Sequence, residues 1–574
     1  MLVTACKQAS DLSSNSTKTS AQAQNADINN ELLVYCAEGS PVTLNPQTST
    51  SGTTVDATSP TIFNQLLDYE PGTTNLRPRI AESWEISEDG LQYRFKLKKD
   101  IAFHSNQHFS PTRSLNADDV IFSIERQRDP MHPLYQAAKG RYPYFQSQGL
   151  AQLIQNIRKI DEHQLEIQLN RPESPFLAIL ATPYLPIQSK EYAEVLAQKN
   201  QLELFDKAPI GTGPFQLVDY QVDSLLRFKA FEEHFAGVSA IQNLVYAITP
   251  DPAMRFARFS AGECDIMRYP LPVHLKLAEQ QAQIQSNQIA GLNVAYWAFN
   301  TEKAPFNQPK VRQALSYAIN RKAIIRAVYD QQATIADSPI PTTSWAYQKP
   351  PQPIVYNPAK AKSLLAEAGY DKGLSLDIWA MPVQRGYNPN ARKMAEMIQQ
   401  DLTEIGVKAQ IISFQWGTFL RRVRLGHHQT VLLGWNADNG DPDNFLTPLL
   451  SCLASQNRGN YARWCNQNFD RIIKRARLET DPEQRKKLYQ QAQAMFQQEQ
   501  PWLTIAYAQN SLLFNHQLNG VQLSPLGSIS FEGVSFLNPQ ADSPKIDNPQ
   551  TDNPQTDNPL QPLEAEPMAG DEKP

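Results

Sequence analysis

Strand-forming and helix-forming patterns alternate through most of this 574-residue chain, and this alternation limits the fold more than any other feature. YRFKLKKDIAF and LEIQLN alternate apolar and polar letters as half-buried strands do. A helix is predicted from Pro309 to Tyr329 and another that ends at Gly406, followed by the strand VKAQIISF. A third helix is predicted to start at Asp481-Pro482 and to precede the strand LTIAY. Repeated strand–helix–strand units predict an α/β fold whose sheets are covered by helices.

The two ends of the chain have a different composition from this body. Residues 7–30 are rich in Ser, Thr, Asn, Gln and Ala and contain no aromatic residue, so we expect residues 1–30 to act as a tether. Residues 538–574 repeat a unit containing Asn-Pro, and this density of proline opposes both helix and sheet. We expect this tail to be disordered and passive, with partner binding as the alternative.

Charge and hydropathy exclude two classes of function. The net charge of −5 is spread along the chain without a long basic run, which argues against nucleic-acid binding. No stretch approaches about 18 consecutive apolar residues, so no membrane-spanning helix is predicted.

Five cysteines are present, and Cys6 differs from the others in context. It ends the letters LVTAC, which resemble the end of a bacterial lipoprotein signal, so lipidation of Cys6 is predicted, with a chance cysteine as the alternative. The other four allow three pairings or four free thiols. An exported protein favours disulfides Cys36–Cys264 and Cys452–Cys465, and the second would close a short loop.

Motifs of enzymes and metal sites are not found in the sequence. It contains no G-x-S-x-G, no H-E-x-x-H and no G-x-x-x-x-G-K-[ST]. GTGPF at 211–215 has too few glycines for a phosphate loop and is interpreted as a turn between domains. The adjacent histidines 427 and 428 are interpreted as a surface pair. GWNADNGDPDNF at 434–445 fails as a calcium loop, because counting from Asp438 places Gly440 and Leu449 where acidic ligands are needed.

Five longer stretches carry a resemblance to one family. They are YCAEGSPVTLNPQTSTSGTTVDA (35–57), ADDVIFSIERQ (117–127), PIGTGPFQL (209–217), WAMPVQRGYNPNARKMAEMIQ (379–399) and GWNADNGDPDNF (434–445). Together they resemble the dipeptide branch of the solute-binding family for peptides and nickel, which serves bacterial ABC-type permeases. The likeness extends over about residues 32–537, and the four body cysteines agree with the two disulfides of that branch.

The resemblance implies a two-lobed periplasmic-binding-protein clamp of type II with an additional third domain, whose lobes close over ligand by hinge motion. Three domains also suit a chain of this length. The implied boundaries are 31–63, 213–290 and 509–537 for domain I, 64–212 for domain II and 291–508 for domain III.

The resemblance also implies a binding site for a short zwitterion. Asp438 matches the residue that pairs with the ligand ammonium, and Arg385 matches the one that binds the ligand carboxylate through its planar fork. The ordinary alternatives are a turn aspartate and a surface arginine. Two departures, Gly386 and Asn436-Ala437, make ligand preference less secure than ligand class. Gly52, Thr53 and Thr54 are expected to be extended and to make main-chain contacts with the ligand, as an added strand would. Pocket walls are expected from Trp416 and Trp435, and rim contacts from Tyr142 and Tyr387.

The function implied is capture without catalysis. The expected partners are a dipeptide and the transmembrane subunits of an ABC permease, with the protein a monomer in the periplasm, held to a membrane only by its lipid. Haem, longer peptides and antimicrobial peptides are alternative ligands within the family. A secreted peptidase and a scaffolding lipoprotein are alternatives of other classes. No cofactor, metal or nucleic acid is expected.

Overall fold

The computed structural model describes residues 32–537, and the fold of this part is α/β. The expected lipidated residue Cys6, the tether and the tail lie outside the described residues. None of the helices between residues 32 and 537 combines the length and the apolar character needed to cross a membrane.

The strands are short, with one exception that spans 14 residues. They are β1 (Leu32–Ala37), β2 (Leu67–Tyr69), β3 (Leu76–Pro78), β4 (Ala81–Ile86), β5 (Gln92–Leu97), β6 (Ile154–Asp161), β7 (Gln164–Leu169), β8 (Phe215–Gln221), β9 (Leu225–Ala230), β10 (Asn243–Ile248), β11 (Ile266–Arg268), β12 (Ile284–Ala290), β13 (Asn293–Phe299), β14 (Ala333–Ile335), β15 (Leu374–Ala380), β16 (Val407–Ile412), β17 (Thr430–Asn436), β18 (Trp502–Asn515), β19 (Leu518–Asn519), β20 (Gln522–Leu523), β21 (Ile529–Ser530) and β22 (Ser535–Phe536).

Helices separate most of these strands along the chain. They are α1 (Gly52–Thr58), α2 (Ala117–Arg128), α3 (Pro133–Ala137), α4 (Pro143–Ser147), α5 (Leu150–Leu153), α6 (Phe176–Leu180), α7 (Lys190–Gln198), α8 (Pro252–Ser260), α9 (Pro272–Ala278), α10 (Pro309–Tyr317), α11 (Arg321–Tyr329), α12 (Pro358–Glu367), α13 (Ala391–Glu404), α14 (Trp416–Arg424), α15 (Asp443–Leu450), α16 (Cys452–Gln456), α17 (Gln467–Leu478) and α18 (Pro482–Glu499), with 3-10 turns at Pro46–Thr48 and Leu202–Leu204.

Local signals account for several of these boundaries. Asp481 caps α18 by accepting a hydrogen bond from the N–H of Gln484, and Pro482 occupies its first turn, as predicted. Gly406, at φ +79°, ends the helical segment before β16, also as predicted. The single helix predicted over 309–329 is two helices, because Asn320 leaves the helical conformation and caps α11 through its side chain.

The main sheet of the described residues has twelve strands. Its order is β16-β15-β17-β13-β18-β11-β1-β10-β9-β8, and β12 and β14 also pair with β18. The long strand β18 contacts β13 and β14 with its first half and β11 and β12 with its second half. A separate four-stranded sheet has the order β4-β5-β7-β6. The long strand therefore joins two parts of the main sheet into a continuous unit.

Buried apolar side chains form three large clusters and one smaller one. One draws on residues 292–508, a second on residues 66–210, and the third and fourth on residues 33–63, 215–278 and 512–534. Each cluster comes from one of the segments predicted as a domain, although the domain boundaries themselves stay a prediction.

Two close contacts identify where the chain passes between these segments. A Cβ added to Gly211 would lie 1.9 Å from the carbonyl oxygen of Ile62, and one added to Gly213 would lie 2.2 Å from that of Thr61. Only glycine permits this approach of the two backbone segments. The GTGPF turn thus runs against residues 61–62.

Both predicted disulfides are confirmed. Cys36, in β1, is bonded to Cys264, which precedes β11, and the two strands are neighbours in the sheet. Cys452 is bonded to Cys465 across a loop of 13 positions.

Candidate ligand-binding cleft

A single large cavity of about 1580 Å³ lies within the described residues. Its walls come from many parts of the chain, which the fold brings together. They include residues 49–56, residues 143–148 with 181–184, residues 383–389 with 433–438, and residues 508–511 with 522–532. Arg385 and Asp438 both line this cavity, as predicted for opposite ends of a ligand.

Asp438 lies two residues beyond the end of β17, a strand paired on both sides by β13 and β15. Its N–H donates to Asn444 Oδ1 at 3.0 Å, and the same oxygen accepts from Trp435 Nε1 at 2.9 Å. Burial raises the pKa of Asp438 to about 6, opposed by hydrogen bonds from Asn444 and Tyr184. The cavity therefore holds a carboxylate that is costly to charge and gains from a cationic ligand.

The neighbouring acids of the same loop already have cationic partners. Asp441 accepts hydrogen bonds from Arg485 Nη2 at 2.9 and 3.1 Å. Asp443 lies 3.7 Å from Arg477, whose Nε also donates to Glu173 at 2.7 Å. Among residues 32–537, Asp438 has no ion-pair partner, which sets it apart from the other two.

Arg385 is the cationic counterpart. Its backbone exchanges two hydrogen bonds with Asn388, at 3.0 and 2.9 Å, which fix the turn before α13. Its guanidinium lies 5.1 Å from the centre of the Trp416 ring, within range of a cation–π contact. No carboxylate of the described residues lies within ion-pair distance of it. Burial raises the pKa of Glu38, which also lines the cavity, and the charge of Arg385 is one of those that oppose this rise.

These features match known proteins. A family model for bacterial extracellular solute-binding proteins, family 5 Middle, matches residues 75–457. The chain belongs to this family. It is 46% identical over 510 residues to the dipeptide-binding protein of Escherichia coli K12, covering 89% of this chain and 95% of that protein. It is 42% identical over 537 residues to heme-binding protein A of Haemophilus influenzae, covering 93% and 97%.

A solved structure shares the architecture of this family-5 protein. The dipeptide-binding protein of Pseudoalteromonas sp. SM9913, in complex with Met-Leu, superimposes with a TM-score of 0.80 at 42% identity. The match covers 88% of this chain and all of that one. The predicted two-lobed α/β clamp is thereby confirmed.

The remaining predicted contacts fall into two groups. Trp416, Trp435 and Tyr387 line the cavity, and the ring of Tyr387 packs so closely on Gly434 that a Cβ there would lie 2.3 Å away. The prediction that Tyr142 lies at the rim of the site is wrong. Its ring is 0% exposed in the core formed by residues 66–210, and its hydroxyl donates to the carbonyl of Leu134.

Two other tyrosines occupy the place expected for Tyr142. Tyr144 and Tyr184 line the cavity as a stacked pair with ring centres 4.5 Å apart, and Tyr184 faces Asp438. Tyr144 is two positions from the predicted residue in the letters RYPYF. Pro143 begins α4 between them, so the two rings leave the chain in different directions. The local sequence does not indicate which of Tyr142 and Tyr144 faces the cavity.

The Gly52-Thr53-Thr54 segment departs from the expected extended form. It begins α1, so it does not lie alongside a ligand as an added strand would. Thr54 is buried and its Oγ1 accepts from the N–H groups of Val42 and Thr43, whereas Gly52 and Thr53 line the cavity. The extended backbone in this region is instead at Ser49 and Ser51, which also line the cavity.

The histidine pair is only half on the surface. His428 is buried, with Nε2 2.8 Å from the carbonyl oxygen of Tyr461, and burial lowers its pKa to about 4. His427 is exposed. No group of three or more His, Cys, Asp or Glu side chains suited to a metal occurs within residues 32–537.

Proposed function

We propose that the protein captures dipeptides by their charged termini and delivers them to an ABC permease of the inner membrane. One observation carries the proposal. Arg385 and Asp438 line one cavity and, among residues 32–537, neither has an ion-pair partner, whereas the adjacent Asp441 and Asp443 do. Two unpaired opposite charges in one cavity suit a zwitterionic ligand.

Binding both charged termini of the ligand at once gives length selectivity. An extended dipeptide separates its ammonium from its carboxylate by roughly two residues at 3.3–3.6 Å each. A longer peptide leaves one charge buried without its partner, at a cost of several kcal/mol. This discrimination by length does not depend on the side chains of the ligand, which suits a carrier of many dipeptides.

Haem is the second candidate ligand. The cavity of about 1580 Å³ exceeds the roughly 300–1,000 Å³ typical of small-ligand pockets, and one close relative is named a heme-binding protein. Haem binding should tolerate loss of the Asp438 charge, because haem has no ammonium group.

The site of action follows from the same proposal. A carrier for an inner-membrane permease works in the periplasm, and a lipid on Cys6 with the tether of residues 7–30 would hold it near the membrane. We propose a monomer that binds without catalysis.

Native mass spectrometry of protein purified from cells tests the ligand class directly. A co-purified mass in the dipeptide range supports the proposal, and a mass of haem redirects it to the second candidate. Incubation with a dipeptide should release no free amino acids, which separates the carrier from a peptidase.

Calorimetry then tests the two charges. Asp438→Asn and Arg385→Gln should each weaken Ala-Gln binding by about 2–5 kcal/mol, the usual effect of removing one partner of a buried charge pair. N-acetyl-Ala-Gln should lose affinity for the wild type but little further for Asp438→Asn. Arg392→Gln, an exposed change on the adjacent helix, is the matched control. Unchanged affinity in both site variants would contradict the proposal.

A further inference from the structure

Helix α14 presents one face to the cavity. Trp416, Leu420 and Arg424 all line it, and they follow one another at intervals of four residues. Residues four apart lie above one another on a helix, so the three side chains form a stripe about 12 Å long. The stripe runs from the ring beneath Arg385 to the C-terminal end of the helix.

The neighbouring segment of the lining carries no negative charge. Leu453, Ala454 and Asn457 line the cavity from α16 and the turn that follows, and Arg463 connects this segment to α14 by donating to the carbonyls of Ser455 and Arg424. None of the cavity-lining residues in 416–424 or 451–461 is acidic. Arg424 is therefore the one formal charge that these two segments bring to the cavity.

The surroundings of Arg424 are strongly basic. Arg421 and Arg422 lie on the same helix, and Arg463 donates a hydrogen bond to the carbonyl of Arg424. None of these four arginines forms an ion pair with a carboxylate of residues 32–537. Arginines at a helix C-terminus are favoured by the helix dipole, which accounts equally for Arg421, Arg422 and Arg424, all three exposed in the last turn. Arg424 differs from the other two because it lines the cavity.

We propose that Arg424 forms a subsite for an acidic side chain on the C-terminal residue of the ligand. This inference rests on the proposed function, which places the ligand carboxylate on Arg385 beside Trp416. The side chain of the C-terminal residue leaves the same Cα and meets the stripe of α14 first. Helical side chains lean toward the helix N-terminus, so the Arg424 guanidinium reaches back toward that position. The preferred substrates are dipeptides ending in Asp or Glu.

Calorimetry on the full chain with two nearly isosteric dipeptides tests this subsite. Ala-Glu should bind about two- to fivefold more tightly than Ala-Gln, the range expected for a solvent-accessible charge pair. Arg424→Gln should bring this ratio to about one, because the loss of affinity should fall mainly on Ala-Glu. The preference should also fall at high salt, because the pair is screened.

The matched control is Arg421→Gln, which removes the same charge from the same helix at an exposed residue outside the cavity wall. This control variant should keep the wild-type ratio of Ala-Glu to Ala-Gln affinity. The affinity for the reversed peptide Glu-Ala should not change in Arg424→Gln. Equal affinities for Ala-Glu and Ala-Gln in the wild type would overturn the subsite alone. If Arg421→Gln lost the preference for Ala-Glu to the same extent, the preference would come from the positive charge of the whole helix end, and the proposed subsite at Arg424 would be wrong. Failure of both peptides to bind would instead overturn the proposed function, and the subsite with it.

Discussion

Three carboxylates stand within six residues of one loop, and their partners give them different roles. Asp441 and Asp443 are neutralised by Arg485 and Arg477, both from helices that follow the loop in sequence. Asp438 faces the cavity and two tyrosines, with hydrogen bonds but no cation among the described residues. A buried carboxylate of this kind supplies binding energy only when a cationic ligand arrives.

Affinity for a dipeptide should depend on pH through Asp438. Its pKa of about 6 means that the empty cavity holds the charged form above this pH and the protonated form below it. The ligand ammonium stabilises the charged form, so the Kd should rise as pH falls through 6, approaching tenfold per pH unit. Calorimetry between pH 5 and pH 8 measures this dependence.

Asp443 provides the check on this assignment, because burial raises its pKa to about 6 as well. It lines no part of the cavity. Asp438→Asn should therefore abolish the dependence on pH, and a full dependence in that variant would assign it to another group.

At the scale of elements, helices α17 and α18 support the loop that carries Asp438. Arg477, near the end of α17, contacts Asp443 of the loop and Glu173 of the segment before α6. The N–H of Ser174 also donates to the carbonyl of Arg477 at 2.8 Å. Glu173 is 1% exposed and pairs with this arginine and, at 3.5 Å, with the more exposed Arg171, so loss of Arg477 removes the nearer of its two cations. Arg477 thereby links two segments that were predicted to belong to different domains.

Replacing Arg477 by Gln should destabilise the protein by about 3–5 kcal/mol, because two buried carboxylates lose their common cation. Urea denaturation followed by fluorescence measures the change in the free energy of unfolding. Arg475→Gln, an exposed position on the same helix without an ion pair in the described residues, should change it by less than about 0.5 kcal/mol. Similar small changes in both variants would show that the Glu173 contact is dispensable.

At the scale of the whole molecule, the cavity exists because segments distant in sequence meet around one sheet. Strand β18 returns after residue 502 to pair with strands from both parts of the sheet. The four-stranded sheet and its helices supply Tyr144 and Tyr184 from the other side of the cavity. Ligand bound between these parts interacts with both of them, and it therefore favours the folded, closed form.

A saturating dipeptide should raise the melting temperature. At 100 times its Kd it adds about 2.7 kcal/mol to the free energy of unfolding. With an unfolding entropy of about 1 kcal/mol/K for about 500 residues, this corresponds to a shift of about 2–3 °C. Differential scanning calorimetry measures the shift, and a free amino acid should give almost none. A dipeptide that produces no shift would argue for a scaffolding role.

Features that depend on neighbours along the chain could be predicted from the order of the amino acids. The Asp481-Pro482 helix start, the stop at Gly406 and the α/β alternation follow from local hydrogen bonding and periodicity. Resemblance added Arg385 and Asp438, whose side chains line the cavity. The break at Asn320 was missed because the apolar period continues through it, and only the cap interrupts the helix.

Which polar groups lack partners depends on contacts between distant segments. Arg477 and Arg485 are tens of residues from the loop acids that they neutralise, Glu173 is hundreds of residues from Arg477, and no local pattern pairs them. Tertiary packing likewise decides that Tyr142 lies in the core and Tyr144 in the cavity wall, and that residues 52–58 are helical. Burial and charge pairing depend on contacts between distant segments, so they are set when the chain folds and cannot be predicted from local sequence patterns.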